Sequence, residues 1–362
     1  MRGRIMVAAA AVLVLLGGCS IGDIRRPPPP KPTGTTASPE ATRAAFEVRH
    51  ADVPVPPGFQ LQSVEFVDQA LGYALFGRCG SGTAAPGPAE TCSAQVVRTE
   101  DGGRSWHQIF QPEGNAKGFD LYADRARLVL YVEPGEYYVS TDRGVTYERS
   151  TKITDAVRAT MGGEYQVCCD QDAKVVRFGV DGTARPTRGQ PDVPGLLVAA
   201  SAVHWVFAVG LEKGRPIASV SNDQGDTWRQ VAVGGASGQV QAAQIEVDHG
   251  GGFAWLIGQT DLISWPALWF FNGTGMYPVS ATGHPDRFTS AVSLEDGSLA
   301  VTTPDRPGVV AGGVFQPVDW PIDDCYLRLL ADGTLFCSAG AVNWLGVGSK
   351  TRKWIRVLVG NE

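Results

Sequence analysis

Thr99-Glu100-Asp101-Gly102-Gly103-Arg104-Ser105-Trp106 decides the fold, because it returns. Ser140-Thr141-Asp142-Arg143-Gly144-Val145-Thr146-Tyr147 repeats it, and Ser221-Asn222-Asp223-Gln224-Gly225-Asp226-Thr227-Trp228 repeats it again. All three read Ser/Thr-x-Asp-x-Gly-x-Ser/Thr-aromatic, and short β-prone runs such as Gln95-Val96-Val97 and Tyr137-Tyr138-Val139 precede them. The aspartates are 41 and 81 residues apart, one period and about two, and a period of that length marks a repeat architecture. The local physics is that of a hairpin loop. Its backbone N–H groups need acceptors, and a short carboxylate supplies them. Glycine takes the positive-φ position, the hydroxyl braces the loop, and the aromatic opens the next strand.

With the aromatic as a ruler, weaker copies fill the gaps. Val175 to Pro186 keeps an Asp181-Gly182-Thr183 turn, and Leu268 to Tyr277 replaces Asp with Asn272. Val309 to Phe315 and Gly346 to Trp354 have lost the carboxylate. Positions 106, 147, 185, 228, 277, 315 and 354 are separated by steps of 41, 38, 43, 49, 38 and 39 residues, which makes seven units. Each unit carries earlier strand-like runs, for example Leu61–Val67, Leu71–Phe76, Gln95–Val97 and Trp106–Phe110. In the last unit Asp332-Gly333 suits a type I′ turn between Tyr326–Leu330 and Thr334–Phe336. About four strands per ~40 residues, repeated, predicts an all-β propeller of seven four-stranded blades, or six if one weak copy is only a loop. Phe46–His50 reads as a candidate extra edge strand.

These loops resemble the Asp-box, or BNR repeat, of sialidases, sortilin-like receptors and a lipid-anchored photosystem assembly propeller. In that family the boxes lie at the blade periphery. The resemblance therefore implies a structural role for Asp101, Gly103 and Trp106, for Asp142, Gly144 and Tyr147, and for Asp223, Gly225 and Trp228. It leaves two functional classes open, since fold does not fix function. One is a non-catalytic binding or assembly module, and the alternative is a glycoside hydrolase of sialidase type. Sialidases need an arginine cluster, an Arg-Ile-Pro-like segment early in the propeller and a Tyr/Glu nucleophile pair. Phe59–Phe76 contains no arginine, Gly214-Arg215-Pro216-Ile217 is not that segment, and sialidases have six blades. The residues favour the binding module.

The N-terminus reads as an address. Basic Met1–Arg4 precedes an apolar run, Ile5–Leu16, too short to span a bilayer and right for a secretory signal. Leu16-Gly17-Gly18-Cys19 resembles a bacterial lipobox, which implies cleavage after residue 18 and acylation (palmitate among the chains) of the Cys19 thiol. Loss of Arg2 and Arg4 with residues 1–18 moves the net charge from −6 to −8. Residues 19–45, with Pro27–Pro30 and Thr33–Pro39, read as a disordered tether, and residues 46–362 as the propeller. The expected address is the extracytoplasmic face of a bacterial cell membrane, held through the lipid anchor, with an unidentified envelope protein or glycan as partner.

Composition agrees with a secreted β protein. Gly 45 and Pro 24 are about a fifth of the 362 residues, charged residues are 19%, and hydrophobic residues are 43%. A net charge of −6 leaves no footprint for nucleic acid. Six cysteines remain beside Cys19, an even number suited to disulfides. Cys79 and Cys92 flank a hairpin loop and are expected to pair. Cys325 and Cys337 flank the Asp332-Gly333 turn and pair less directly. Cys168 and Cys169 are adjacent, so a bridge between them would be vicinal and strained, and the alternative is that each bonds elsewhere or stays reduced. The five histidines show no metal spacing, and Asp170-Gln171-Asp172 lacks the further ligands of a calcium loop, so neither metal nor cofactor is expected. Trp265 and Trp269 flank Pro266 in the widest repeat step, where an inserted loop would expose them as partner contacts.

Overall fold

A computed structural model of the chain describes residues 45–80, 91–112, 116–168, 172–179, 181–235, 239–248, 250, 252–322, 324–349 and 351–360. The signal, Cys19 and the tether lie outside these residues. Seven sheets form in chain order, one per expected unit, as the blades of a seven-bladed β-propeller.

After β1 (Phe46–His50), blade 1 comprises β2 (Gln60–Phe66), β3 (Gly72–Gly80), β4 (Thr91–Thr99) and β5 (His107–Phe110). Blade 2 is β6 (Phe119–Ala123), β7 (Leu128–Val132), β8 (Glu136–Ser140) and β9 (Glu148–Ser150). The helix α1 (Asp155–Gly162) precedes blade 3, which is β10 (Tyr165–Cys168), β11 (Lys174–Phe178) and β12 (Ala184–Pro186). Blade 4 is β13 (Leu196–Ser201), β14 (Val206–Glu212), β15 (Arg215–Ser221) and β16 (Arg229–Val231). Blade 5 is β17 (Ala242–Val247), β18 (Ala254–Gln259), β19 (Ala267–Phe271) and β20 (Met276–Val279). Blade 6 is β21 (Ser290–Ser293), β22 (Leu299–Thr302), β23 (Gly308–Ala311) and β24 (Val314–Pro317). Blade 7 is β25 (Tyr326–Leu329), β26 (Leu335–Ala339), β27 (Val342–Val347) and β28 (Lys353–Leu358).

Every blade is an antiparallel meander, so its hairpins alternate between the two ends of the ring. The loops after first and third strands lie at one end, here the loop end. The loops after second strands, and the connections between blades, lie at the other, the connection end. All seven ruler positions fall on or immediately before the last strand of a blade. The second strands are the most buried, with Leu75, Leu130, Leu256 and Leu299 wholly inaccessible. Between blades the side chains interdigitate. Phe207 of blade 4 meets Phe271 of blade 5 edge-on, with ring centroids 5.0 Å apart, beside buried Leu256 and Trp269.

Blade 3 departs from the four-strand expectation. Gly103 packs on Val357, Gly144 on Ile109 and Gly225 on Thr187, so each loop glycine meets the end of the preceding blade. That register makes β12 the last strand of blade 3 and β10 its second. Where other blades have a first strand, this one has α1, capped by the Thr154 hydroxyl accepting from Val157 N–H and closed at Gly163 with φ +83°.

Closure needs no strand from the N-terminus, because β25 to β28 are contiguous. Instead β1 pairs in parallel with β28, Phe46 opposite Trp354 and His50 opposite Leu358, as a fifth, outermost strand. From there the buried Arg49 donates to the carbonyl of Gly102 at 2.8 Å, gripping the β4–β5 loop of blade 1. Lys353 and Arg49 hold the Glu47 carboxyl down to about 2.

Candidate functional site

The three strong loops close as their residue types require. In blade 1, Asp101 Oδ1 accepts from the Thr99 hydroxyl and from the N–H groups of Arg104 and Ser105, at 2.8–2.9 Å. Its Oδ2 accepts from the Ser105 hydroxyl at 2.6 Å, and Gly103 N–H donates to Thr99 Oγ1 at 2.8 Å. Asp142 repeats the pattern with Ser140, Val145 and Thr146, and Asp223 with Ser221 and Thr227. Hydroxyl and amide donors from Thr146 and Thr227 hold Asp142 and Asp223 at about 2. Partial burial pushes Asp101 up, but the donors of Ser105, Thr99 and Arg104 more than reverse it, again to about 2. Such carboxylates are spent on their own loops, and proton transfer at neutral pH is beyond them. The aromatics turn inward: Trp106 is buried, and Tyr147 stacks on Phe110 with centroids 3.9 Å apart.

Cys79–Cys92 and Cys325–Cys337 are disulfides. Cys79 sits directly opposite Cys92 in the β3–β4 ladder. Leu327 is the residue opposite Cys337, so Cys325 reaches it diagonally across one ladder position. Cys169 lies outside the described residues, and so does the proposed Cys168–Cys169 bridge. Asp332-Gly333 does not form the two-residue type I′ turn. Gly333 N–H returns to Leu330 C=O and only Gly333 has positive φ, which makes a type I turn with a glycine bulge.

The two tryptophans separate. Trp269 is 1% exposed on β19, and its Nε1 donates to Gly234 C=O at 2.8 Å. It is core between blades 4 and 5 and is withdrawn as a partner contact. Its neighbours Leu268 and Phe271 are also buried, so this strand is apolar on both faces. Trp265 does lie on an inserted loop, half-buried. It stacks on His284 at 4.4 Å with Phe288 and Phe315 edge-on beneath.

A pocket of about 480 Å3 with several charged and hydroxyl side chains in its lining opens where the first strands of blades 7 and 1 meet, and sequence reasoning missed it. Gln62 and Glu65 come to it from β2, Tyr326 and Arg328 from β25, and Thr289 and Asp324 from the connections between blades. Arg328 Nη2 lies 2.6 Å from Glu65 Oε2, and its guanidinium covers the Phe336 ring at 5.3 Å. Burial pushes the Glu65 carboxyl up, and Arg328 opposes that. The Thr289 hydroxyl donates to Asp324, and the Tyr326 side chain is exposed. On the first strand of blade 5, burial raises Glu246 to about 7 against a hydrogen bond from Gln244. The signal was present as polar residues alternating with apolar ones: Val64-Glu65-Phe66, Leu327-Arg328-Leu329 and Ile245-Glu246-Val247. Among the described residues, no three His, Cys, Asp or Glu side chains gather as a metal-holding group.

No protein-family model matches the chain, and no curated protein matches it. Solved structures do. YCF48 bound to a D1 peptide is 11% identical over 86% of this chain and 88% of its own, with a TM-score of 0.33. Apo AztD from Citrobacter koseri is 12% identical over 84% and 90%, with a TM-score of 0.39. The uncharacterized protein lmo1340 from Listeria monocytogenes is 8% identical over 86% and 98%, with a TM-score of 0.49. At these scores the likenesses carry no argument about ligand or partner.

Proposed function

We propose that this chain is a lipid-anchored, extracytoplasmic propeller of Asp-box kinship that binds or assembles an envelope component and performs no chemistry of its own. The observation that carries the reading is the pocket between blades 7 and 1. Its acids and base are committed to partners within the protein, Glu65 to Arg328 and Asp324 to Thr289. Paired charges at its lining suit recognition, whereas a hydrolase needs a carboxylate poised to give or take a proton beside the substrate, and Glu246, the carboxyl raised to about 7, lies on blade 5 outside this pocket. The lipobox-like Leu16–Cys19 supports the address, because an acylated Cys19 and its tether would present this pocket at the membrane surface.

The test places a photo-crosslinking benzoylphenylalanine at Tyr326 of the full chain in its own cells. A reproducible adduct with an envelope component, reduced ~10-fold or more by Arg328→Ala, is the expected result. Turnover of a fluorogenic sialoside by the purified protein, abolished by the same substitution, would replace this reading with the hydrolase. For the anchor, Cys19→Ala moves the protein from the detergent phase to the culture medium, and a variant that stays membrane-bound removes that part of the proposal.

A further inference from the structure

The geometry points to the loop between β18 and β19 as a wedge that enters the bilayer surface and sets the orientation of the propeller. Leu262 is 87% exposed and its neighbour Ile263 is 58% exposed. The loop that shows them is pinned. Asp261 Oδ1 accepts from Ile263 and Ser264 N–H at 2.9 and 2.7 Å, and Oδ2 accepts from the Ser264 hydroxyl at 2.7 Å. Trp265 N–H donates to Asp286 C=O, and Phe288 N–H donates to Ile263 C=O, fastening the loop to the connection between blades 5 and 6. Beneath the tip, the Trp265–His284 stack provides an aromatic platform with polar edges. Two aliphatic side chains are thus held in water by a built structure, at an ordering cost already met by the fold.

The size of the tip chooses its occupant. A stable protein interface covers about 800 Å2 on each partner, and two aliphatic side chains on a convex turn offer roughly 200 Å2. That is too little for a protein partner and enough for a bilayer to which the chain is already fastened, because a tether turns insertion into an intramolecular step. This part rests on the lipid-anchored reading. The 26 residues from Ser20 to Ala45 would extend up to ~90 Å, so they permit the contact without enforcing it. Arg287 offsets Asp286 beside the loop and the ionised Asp261 leaves a net negative charge at its base, so the tip acts by its apolar surface, and anionic lipid should be dispensable.

The experiment separates the wedge from the anchor. The mature chain, residues 19–362, is coupled by an N-terminal histidine tag to phosphatidylcholine vesicles carrying a nickel-chelating lipid, with and without phosphatidylglycerol. An environment-sensitive fluorescent amino acid replaces Leu262, or Val145 in the loop after β8 at the opposite end of the ring. The wedge predicts a blue shift at 262 and roughly two-fold or greater quenching by brominated lipid chains, weakened by Ile263→Ser, with 145 unchanged in both lipids. Equal behaviour at 262 and 145 would overturn it. So would a shift at 262 that appears without vesicles and grows with protein concentration, because the tip would then bind another copy. Failure of native acylation shows separately, in the detergent partition of Cys19→Ala.

Discussion

Blades 1, 2 and 4 reverse the chain before their last strand with a carboxylate that accepts on both oxygens, and the other four blades make the same reversal with fewer bonds or with other chemistry. Blade 3 uses the short Asp181 turn, in which one carboxylate oxygen accepts from Thr183 N–H and hydroxyl. In blade 5 the Asn272 amide oxygen accepts from the Thr274 hydroxyl and N–H. Blade 6 makes a two-residue turn of Gly312 and Gly313, with φ +57° and +80° and no polar side chain at all. Blade 7 uses a cation: Arg352 Nη1 donates to the carbonyls of Gly346, Gly348 and Gly333 at 2.7–3.1 Å. What the seven share is the hairpin, and the acid is one of several ways to satisfy it. That diversity is the argument for reading Asp101, Asp142 and Asp223 as fasteners.

The comparison sharpens most at the glycines. Gly225 has φ +89°, and a Cβ there would lie 2.5 Å from Thr187 Cγ2 and 2.7 Å from its Cβ. Gly313 has φ +80° with open space around it. Gly225→Ala should cost ~2–4 kcal/mol through strain and clash together, and Gly313→Ala ~1 kcal/mol through strain alone. Equal losses in thermal or urea unfolding would break the distinction. Arg352→Met comes next, at ~1–3 kcal/mol, since three carbonyls lose a charged donor. A loss no greater than that of an exposed Arg104→Met would show that the guanidinium does not hold blade 7.

Acid offers the mildest test, and it has a sign. Asp101, Asp142 and Asp223 are depressed in the folded state, so their stabilisation is complete above about pH 4 and is lost as pH falls toward 2. Hydrogen exchange should therefore quicken at the loops of blades 1, 2 and 4, and at the Asp181 turn of blade 3, as pH falls, while the Gly312-Gly313 turn is unaffected. Uniform quickening across all seven loops would contradict it. Glu246 runs the other way. Raised to about 7, its contribution is full below about pH 4.5 and disappears as pH climbs through 7. Glu246→Gln should raise the melting temperature at pH 8 and leave it unchanged at pH 4, and a rise at both would remove burial as the cause.

Blade number was legible because each last strand starts on an aromatic or on a recognisable turn, and that spacing survives loss of the carboxylate. The helix in blade 3 was legible too, in Thr154-Asp155 at its start and Gly162-Gly163 at its end. The imposed four-strand period hid it. Trp269 could not be placed because its strand is apolar on both faces, so alternation has no phase to read. Glu65, Arg328 and Glu246 did alternate with apolar neighbours. Their convergence depends on which blade follows which around a closed ring, and pairing across a seam between residues 65 and 328 has no local signature.

That seam also carries the load path. A pull travelling along the chain from the N-terminus reaches the folded body first at Phe46, on a strand added outside the last blade. Drawn along its own axis, β1 strains its ladder to β28 in shear, with the bonds sharing the force. Drawn sideways, it peels one bond at a time. In both cases the Arg49–Gly102 bond couples β1 to the loop of blade 1, so blade 1 shares the force with blade 7. β1 is therefore a hoop across the seam, joined by its ladder to blade 7 and by Arg49 to blade 1.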